Sequence, residues 1–203
     1  MLIKDQIEKL TKFHRYLDLD EDAIPYRTLP GVHPKAAYFT RGSGHSQFGT
    51  YTEDSAEYQI VLDRLLRKWD TAKKLVPRAV IDATAGSDIG LVSLGSCDGA
   101  IHEAIDVLKA EGVRVNYMRV RAFPFSEDVE RFLAAHKTVF VIEQNRDAQF
   151  RSLLALETKA EKSKLLSLLH YSGLPISSSF IVEGVLAHVR PQPRQQEALG
   201  VAG

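Results

Sequence analysis

At 203 residues, 44% of them hydrophobic, the chain has room for one good-sized domain, or one domain with an attached arm, around a packed core. Its 26 basic residues balance 26 acidic ones, so no global pull towards nucleic acid or an anionic membrane exists, and no basic stripe is interleaved with aromatics. Cys97 is the only cysteine, which excludes an internal disulfide and a thiolate cluster for zinc or iron–sulfur.

The residues after Met1 lack the apolar core of a signal peptide. No run approaches the roughly 20 apolar residues of a membrane span. A cytoplasmic protein without membrane or nucleic-acid partners is expected.

Leu2, Ile3, Ile7, Leu10 and Phe13 recur at three- and four-residue steps and predict a short amphipathic helix over residues 3–14. From Leu17 to Thr52 the chain carries Pro25, Pro30, Gly31, Pro34, Gly42, Gly44 and Gly49, too many breaks for long regular elements. Only residues 36–40 read as a strand. Such a segment is an arm whose order depends on contact with something else.

Residues 53–76 predict a long helix. Tyr58, Val61 or Leu62, Leu65, Trp69, Ala72 and Val76 form one apolar stripe among basic residues, Thr52 is the expected N-cap, and Pro77 stops it. Beyond it, strand and helix alternate. Residues 79–84 and 89–94 are apolar runs joined by so short a link that adjacent antiparallel strands are expected.

Ser96 then opens a helix burying Ala100, Ile101, Ala104, Ile105 and Leu108, which Gly112 ends. Residues 113–120 are a strand, Ser126 caps a helix to about Ala135, and 138–143 is a further strand. Asp147 is the expected cap of a helix holding Phe150, Leu153 and Leu154. Residues 164–171 read as a last strand, and Ser177–Ser179 open a closing helix that turns Phe180, Ile181, Val185 and Leu186 inward. From Arg190 onward the chain reads as a disordered tail. Strands separated by helices imply right-handed crossovers and a mostly parallel sheet covered on both faces, with the first strand antiparallel.

Three readings compete for Gly95-Ser96-Cys97-Asp98-Gly99, where a strand meets a helix. As G-x-C-x-G it fits the cysteine form of a nucleophile elbow. Cys97 would be the catalytic residue of a small hydrolase, with Glu143 or Asp147 and then His170 or His188 following in order. As a helix start, its backbone N–H groups at Gly95 and Ser96 would hold an anion, although Asp98 stands where the anion would sit. Structurally, Gly95 permits the turn, Ser96 caps, Cys97 fills space and Asp98 meets the helix dipole. On local residues alone the structural reading is preferred.

Glu143, Asn145 and Gln149 lie at or just beyond a strand end, where α/β proteins place binding groups, so a small-ligand regulatory pocket with Gly95–Ser96 is a further reading. Against it, Asn145 and Asp147 commonly build turns and caps. His45, in the glycine-rich loop with Arg41, is expected to be exposed and within reach of a ligand or partner. No histidine pair has ligand spacing, and no metal site is expected.

Ile24-Pro25-Tyr26-Arg27-Thr28-Leu29-Pro30-Gly31, then Thr40-Arg41-Gly42-Ser43-Gly44-His45, and Tyr51-Thr52-Glu53-Asp54 before the long helix resemble the alpha subunits of 2-oxoacid:ferredoxin oxidoreductases. Leu94-Gly95-Ser96, Phe123-Pro124-Phe125, Val141-Ile142-Glu143-Gln144-Asn145 and Tyr171-Ser172-Gly173-Leu174-Pro175-Ile176 extend the resemblance over nearly the whole chain.

The resemblance implies a fold: a three-layer α/β/α domain with a five-stranded, mostly parallel sheet, one strand antiparallel, similar to the transketolase C-terminal domain and preceded by an irregular arm. The expected organisation is an arm over 1–52, the α/β domain over 53–189 and the tail over 190–203. It also implies a role: a non-catalytic assembly domain serving the beta subunit and the remaining alpha-subunit domains, with ferredoxin met only indirectly. In the complete family, thiamine diphosphate, magnesium and iron–sulfur clusters convert a 2-oxoacid such as pyruvate into acyl-CoA. This chain is expected to bind none of them, because it lacks the Gly-Asp-Gly and asparagine pair that hold magnesium and diphosphate. Family alpha subunits are longer upstream, so Met1 reads as a truncation, an alternative start or an artificial boundary. Cys97 stands where a threonine is expected. Arg146-Asp147-Ala148-Gln149 departs from the usual run, which weakens a ligand role for Asn145 and Gln149.

Overall fold

A computed structural model describes residues 1–39, 44–83 and 86–190, and the chain divides into two compact units, Met1–Val76 and Pro77–Gly203. The division groups the long helix with the first unit, whereas the expected α/β domain began at residue 53. Its side chains explain why. Arg64 Nη1 donates to the Ala23 carbonyl (3.0 Å), and Thr71 Oγ1 donates to that of Asp22 (2.6 Å).

The first unit holds α1 (Lys4–Glu8), a 3-10 turn (Pro34–Ala36) and α2 (Ser55–Leu75). Helix α1 is shorter than its apolar periodicity because Lys35 Nζ takes the carbonyls of Glu8 (3.0 Å) and Leu10 (3.1 Å), ending the turn with a cation. The strand expected from residue 36 does not form; residues 37–39 are irregular, and Thr40 lies outside the described residues. Asp54, not Thr52, caps α2 by accepting from Glu57 N at 2.9 Å.

The apolar stripe of α2 is largely uncovered. Tyr58, Leu62, Leu65 and Trp69 are exposed, and the buried residue of α2 is Arg64. Periodicity reports which face of a helix is apolar, not whether anything covers it.

The second unit runs β1 (Val80–Asp82), β2 (Ile89–Leu94), α3 (Asp98–Ala110), β3 (Asn116–Val120), α4 (Glu127–Ala135), β4 (Thr138–Glu143), α5 (Gln149–Glu157), β5 (Leu165–Leu169) and α6 (Ser178–Val189). Its five-stranded sheet has the order β1-β3-β2-β4-β5, with β1 antiparallel to β3 and every other pair parallel. The expected β1–β2 hairpin is therefore wrong: β3 lies between them. A link over residues 83–88 can reach about 20 Å, whereas skipping one strand needs about 10 Å, so a short connection does not compel adjacency. Thr84 and Ala85 within that link lie outside the described residues.

Side-chain alternation splits the core into two layers. Leu91, Tyr117, Phe140 and Ile142 face α3 and α6, while Val92, Met118, Val139 and Val141 face α4 and α5. Residues 139–142 form a continuous apolar run because β4 is dry on both faces. Gly112, at φ 76, turns the chain out of α3, and Val113 N closes the turn on the Leu108 carbonyl at 2.8 Å. Strand β3 then starts later than its apolar run. Arg190 belongs to the folded part, donating from Nη1 to Glu111 Oε2 at 3.1 Å; the rest of the expected tail, 191–203, lies outside the described residues.

Two glycines of this unit give opposite predictions. A Cβ on Gly90 would lie 2.8 Å from Phe132 Cε1 and 3.2 Å from His136 Cγ. The imidazole cannot yield, since Nδ1 donates to the Phe132 carbonyl (2.6 Å) and Nε2 accepts from Asn116 Nδ2 (2.8 Å). Gly90→Ala should therefore lower unfolding stability by about 2 kcal/mol. Nothing lies within 4 Å of a Cβ on Gly99 in α3. Gly99→Ala should raise stability by about 0.5–1 kcal/mol. Urea denaturation of the full chain checks both signs.

Candidate functional site

Strands β2 and β4 lie side by side, and the segments that follow them turn to opposite faces of the sheet. Such a divergence opens a crevice at the carboxyl edge, the usual ligand position in α/β folds. Here one side chain spans it. Gln144 Nε2 donates to Ser96 Oγ (2.9 Å) and to Cys97 Sγ (3.8 Å), and its Oε1 accepts from Ile176 N (3.3 Å). The Gln144 side chain ties Ser96 to Ile176 and lines, with both and His170, a hollow of about 470 Å³. Gln144 was not singled out in the sequence, and an exposed glutamine beside a strand end gives no signal of its own.

Glu143 is 2% exposed, and its carboxylate is fully occupied. Oε2 accepts from Phe150 N (2.8 Å) and Asn145 Nδ2, and Oε1 accepts from Arg151 N (3.1 Å). Asn145 Oδ1 takes Asp147 N (3.0 Å) and Gln149 N (3.3 Å). Glutamate and asparagine together satisfy the free N–H groups at the start of α5, where the helix dipole also favours the negative charge. Asp147, the expected cap, instead pairs with Arg146. Gln149 is exposed. The ligand reading of Glu143 and Asn145 gives way to a capping role.

Beside the clamp, a polar chain ties α3 to the sheet. The Tyr117 hydroxyl donates to Asp98 Oδ1 (2.9 Å) and so accepts from Ser93 Oγ (2.8 Å), while Arg119 Nη1 donates to Asp98 Oδ2 (3.0 Å). Burial pushes the Tyr117 phenol far up, helped by the bonded Asp98, so it stays neutral. A buried serine within an apolar strand was the one trace of this network in the sequence.

Cys97 is 2% exposed. Burial raises its thiol pKa, outweighing the Gln144 hydrogen bond that lowers it; nearby Glu143 raises it further. Among the described residues no histidine bonds to its sulfur. His170 sits against Ser172 and Phe180, and His188 against Phe140. A protonated, covered thiol without a base does not make a nucleophile elbow, which removes the hydrolase reading.

The other candidates lie in the first unit. Arg41 is outside the described residues. His45 is half-buried rather than exposed: it bridges to Tyr51, its ring lies 5.5 Å from that of Tyr16, and its Nε2 is buried without a hydrogen-bond partner. Asp18, Asp20 and Asp22, not singled out in the sequence, gather their carboxylates within 4.8 Å. They accept from Ala23 N, the Tyr26 hydroxyl and Ile24 N respectively, as turn-building carboxylates do, while Asp18 Oδ1 is buried without a hydrogen-bond partner.

The donor sets of the family cofactors do not fit these residues. Both oxygens of Asp98, beside Gly99, are engaged by Tyr117 and Arg119, and one buried cysteine cannot hold an iron–sulfur cluster. Among the described residues no helix is long and apolar enough to cross a membrane.

Two outcomes follow for this site. Glu143→Gln should cost about 2 kcal/mol in urea unfolding, because two buried charge-assisted caps weaken, whereas Ser96→Ala should cost about 0.5 kcal/mol. Iodoacetamide should modify Cys97 about 100-fold more slowly in the native chain than in urea, and equal rates would contradict the burial argument.

Residues 87–173 match the model of pyruvate:ferredoxin oxidoreductase core domain II. The alpha subunit of 2-oxoacid:ferredoxin oxidoreductase 2 from Aeropyrum pernix is 30% identical over 87% of this chain and 27% of its own length. The corresponding subunit from Saccharolobus solfataricus is 27% identical over 83% of this chain and 28% of its own. Among solved structures, 2-oxoglutarate:ferredoxin oxidoreductase from Magnetococcus marinus, with 2-oxoglutarate, coenzyme A and succinyl-CoA bound, superposes with a TM-score of 0.77 at 26% identity, covering 90% of this chain and 32% of that one. The chain thus spans about a quarter of the curated relatives it matches. Over nearly its whole length the chain is therefore similar to part of the 2-oxoacid:ferredoxin oxidoreductase alpha subunits, and residues 87–173 within its α/β unit match core domain II.

Proposed function

We propose that this chain is a non-catalytic assembly portion of a cytoplasmic 2-oxoacid:ferredoxin oxidoreductase: it supplies packing surface and none of the reactive centre. The observation that carries this reading is the contrast in burial between the two units. In Met1–Val76 the buried apolar side chains are small in number, chiefly Ile7, Phe13, Ala23 and Ala36. Leu19, Leu29, Tyr38, Phe39, Phe48, Leu62, Leu66 and Leu75 remain exposed in the same unit, Phe39 at 85%. So little burial does not offset the entropy of ordering the segment. Apolar surface on this scale belongs in an interface.

On this reading the arm and α2 pack on other parts of the enzyme, including the remaining alpha-subunit domains and the beta subunit. Pro77 onward is a scaffold unit with its own closed core. Thiamine diphosphate, magnesium and the iron–sulfur clusters are held elsewhere in the complex, as are 2-oxoacid, coenzyme A and the route to ferredoxin. The cofactor misfit at Asp98 and Cys97 supports this division.

Calorimetry of the purified chain with thiamine diphosphate and magnesium should show no saturable heat, and the chain alone should not reduce an electron acceptor with any 2-oxoacid. Saturable, magnesium-dependent binding would overturn the non-catalytic reading. Co-expressed with the beta subunit and the remaining alpha-subunit domains of such an oxidoreductase, the chain should co-purify with them. Leu62→Glu with Leu66→Glu, both on the exposed face of α2, should weaken that association about 100-fold while leaving urea unfolding of the second unit unchanged. Unaltered association in the double variant would sink the interface claim.

A further inference from the structure

At the carboxyl edge of the sheet, on the side covered by α4 and α5, the apolar core does not close over. Strand β2 ends at Leu94, the β3–α4 connection carries Phe123 and Phe125, and α5 brings Phe150. A hollow of about 440 Å³ lies between them, with Arg119 and Arg121 also lining it. This space is distinct from the Gln144 clamp, whose side chain does not line it. Its wall is aromatic. Phe125 and Phe150 are buried and meet edge-on with centroids 6.3 Å apart, and Phe123 meets Phe125 in the same way at 5.2 Å. Leu94 and Phe123 remain 44% and 41% exposed, so an occupant would remove apolar surface from water.

The charge around the hollow has one sign. None of its lining side chains is acidic. Arg119 spends Nη1 on Asp98, while Arg121 is exposed and forms no hydrogen bond or ion pair among the described residues. Gly95, at φ 66, leaves open space above the backbone where a side chain would stand. Pockets for small molecules combine an apolar wall with a few polar groups, and this volume falls at the lower end of their range of roughly 300–1,000 Å³. A dinucleotide is too large for it. An inorganic anion would leave the phenylalanine wall wet, and a neutral hydrocarbon would make no use of the Arg121 charge.

We propose that this hollow binds a small monocarboxylate bearing an aromatic or branched apolar group. The ring lies against Phe125 and Phe150, and the carboxylate meets the fork of Arg121, for which guanidinium geometry is suited. This site stands apart from the assembly reading and requires no partner chain.

The probe is 3-phenylpropionate, titrated into the isotopically labelled full chain and followed by amide shifts in NMR spectra. The amides of Gly95, Arg121, Phe123 and Phe150 should move saturably, with half-saturation at millimolar concentration. Replacing the carboxylate by the neutral amide, or making Arg121→Gln, should each weaken binding about tenfold. Acetate, which has the charge but no ring, should give no saturable shift. Arg121 is exposed, so its variant keeps the fold, and unchanged amide positions away from the hollow verify that. No saturable movement up to about 20 mM, or equal affinity for the acid and its amide, would overturn the proposal.

Discussion

The side-by-side pairing of β2 and β4, with both faces dry, is the constraint from which the rest of the α/β unit follows. Leu91 and Val92 in β2, and Val139 to Ile142 in β4, are fully or almost fully buried, so neither strand can slip by a residue without carrying a layer to the wrong face. Fixing that pair fixes where both strands end. Gln144 then falls within reach of Ser96, and Glu143 falls beneath the start of α5. The polar groups that looked available for a ligand are committed by this register to holding helices onto the sheet.

That outcome shows what the residue pattern could and could not convey. Strand β4 was legible because a run of apolar residues bounded by turn signals has few other uses; α3 was legible from its periodicity, though Ser96 does not cap it, and α6 from its periodicity and its Ser177 cap. The order of strands was not. Whether β1 lies against β2 or against β3 depends on pairing between distant segments, and residues 83–88 are long enough for either. Glu143 and Asn145 were correctly noticed as unusual at a strand end, but a buried carboxylate reads alike whether it binds a ligand or two backbone N–H groups. Only the hydrogen bonds to Phe150 and Arg151 distinguish them.

The first unit failed differently. The stripe on α2 was legible as apolar, but its exposure was not, because periodicity carries no information about the partner. Arg64 makes the point from the other side: a charged residue occupies the buried position, donating to the Ala23 carbonyl, while leucines and tyrosine face outward. Burial lowers its pKa, with Asp18 opposing that shift, so the guanidinium is held at some cost by local polar contacts rather than by an apolar core. Similarity to alpha subunits several times its length gives this imbalance a setting.

Hydrogen–deuterium exchange across residues 55–75 is the most direct measurement of whether this surface is an interface. The account predicts that these amides exchange about tenfold or more slowly in the assembled oxidoreductase than in the isolated chain, while β2 and β4 are equally protected in both. Identical protection of α2 in the two states would contradict it.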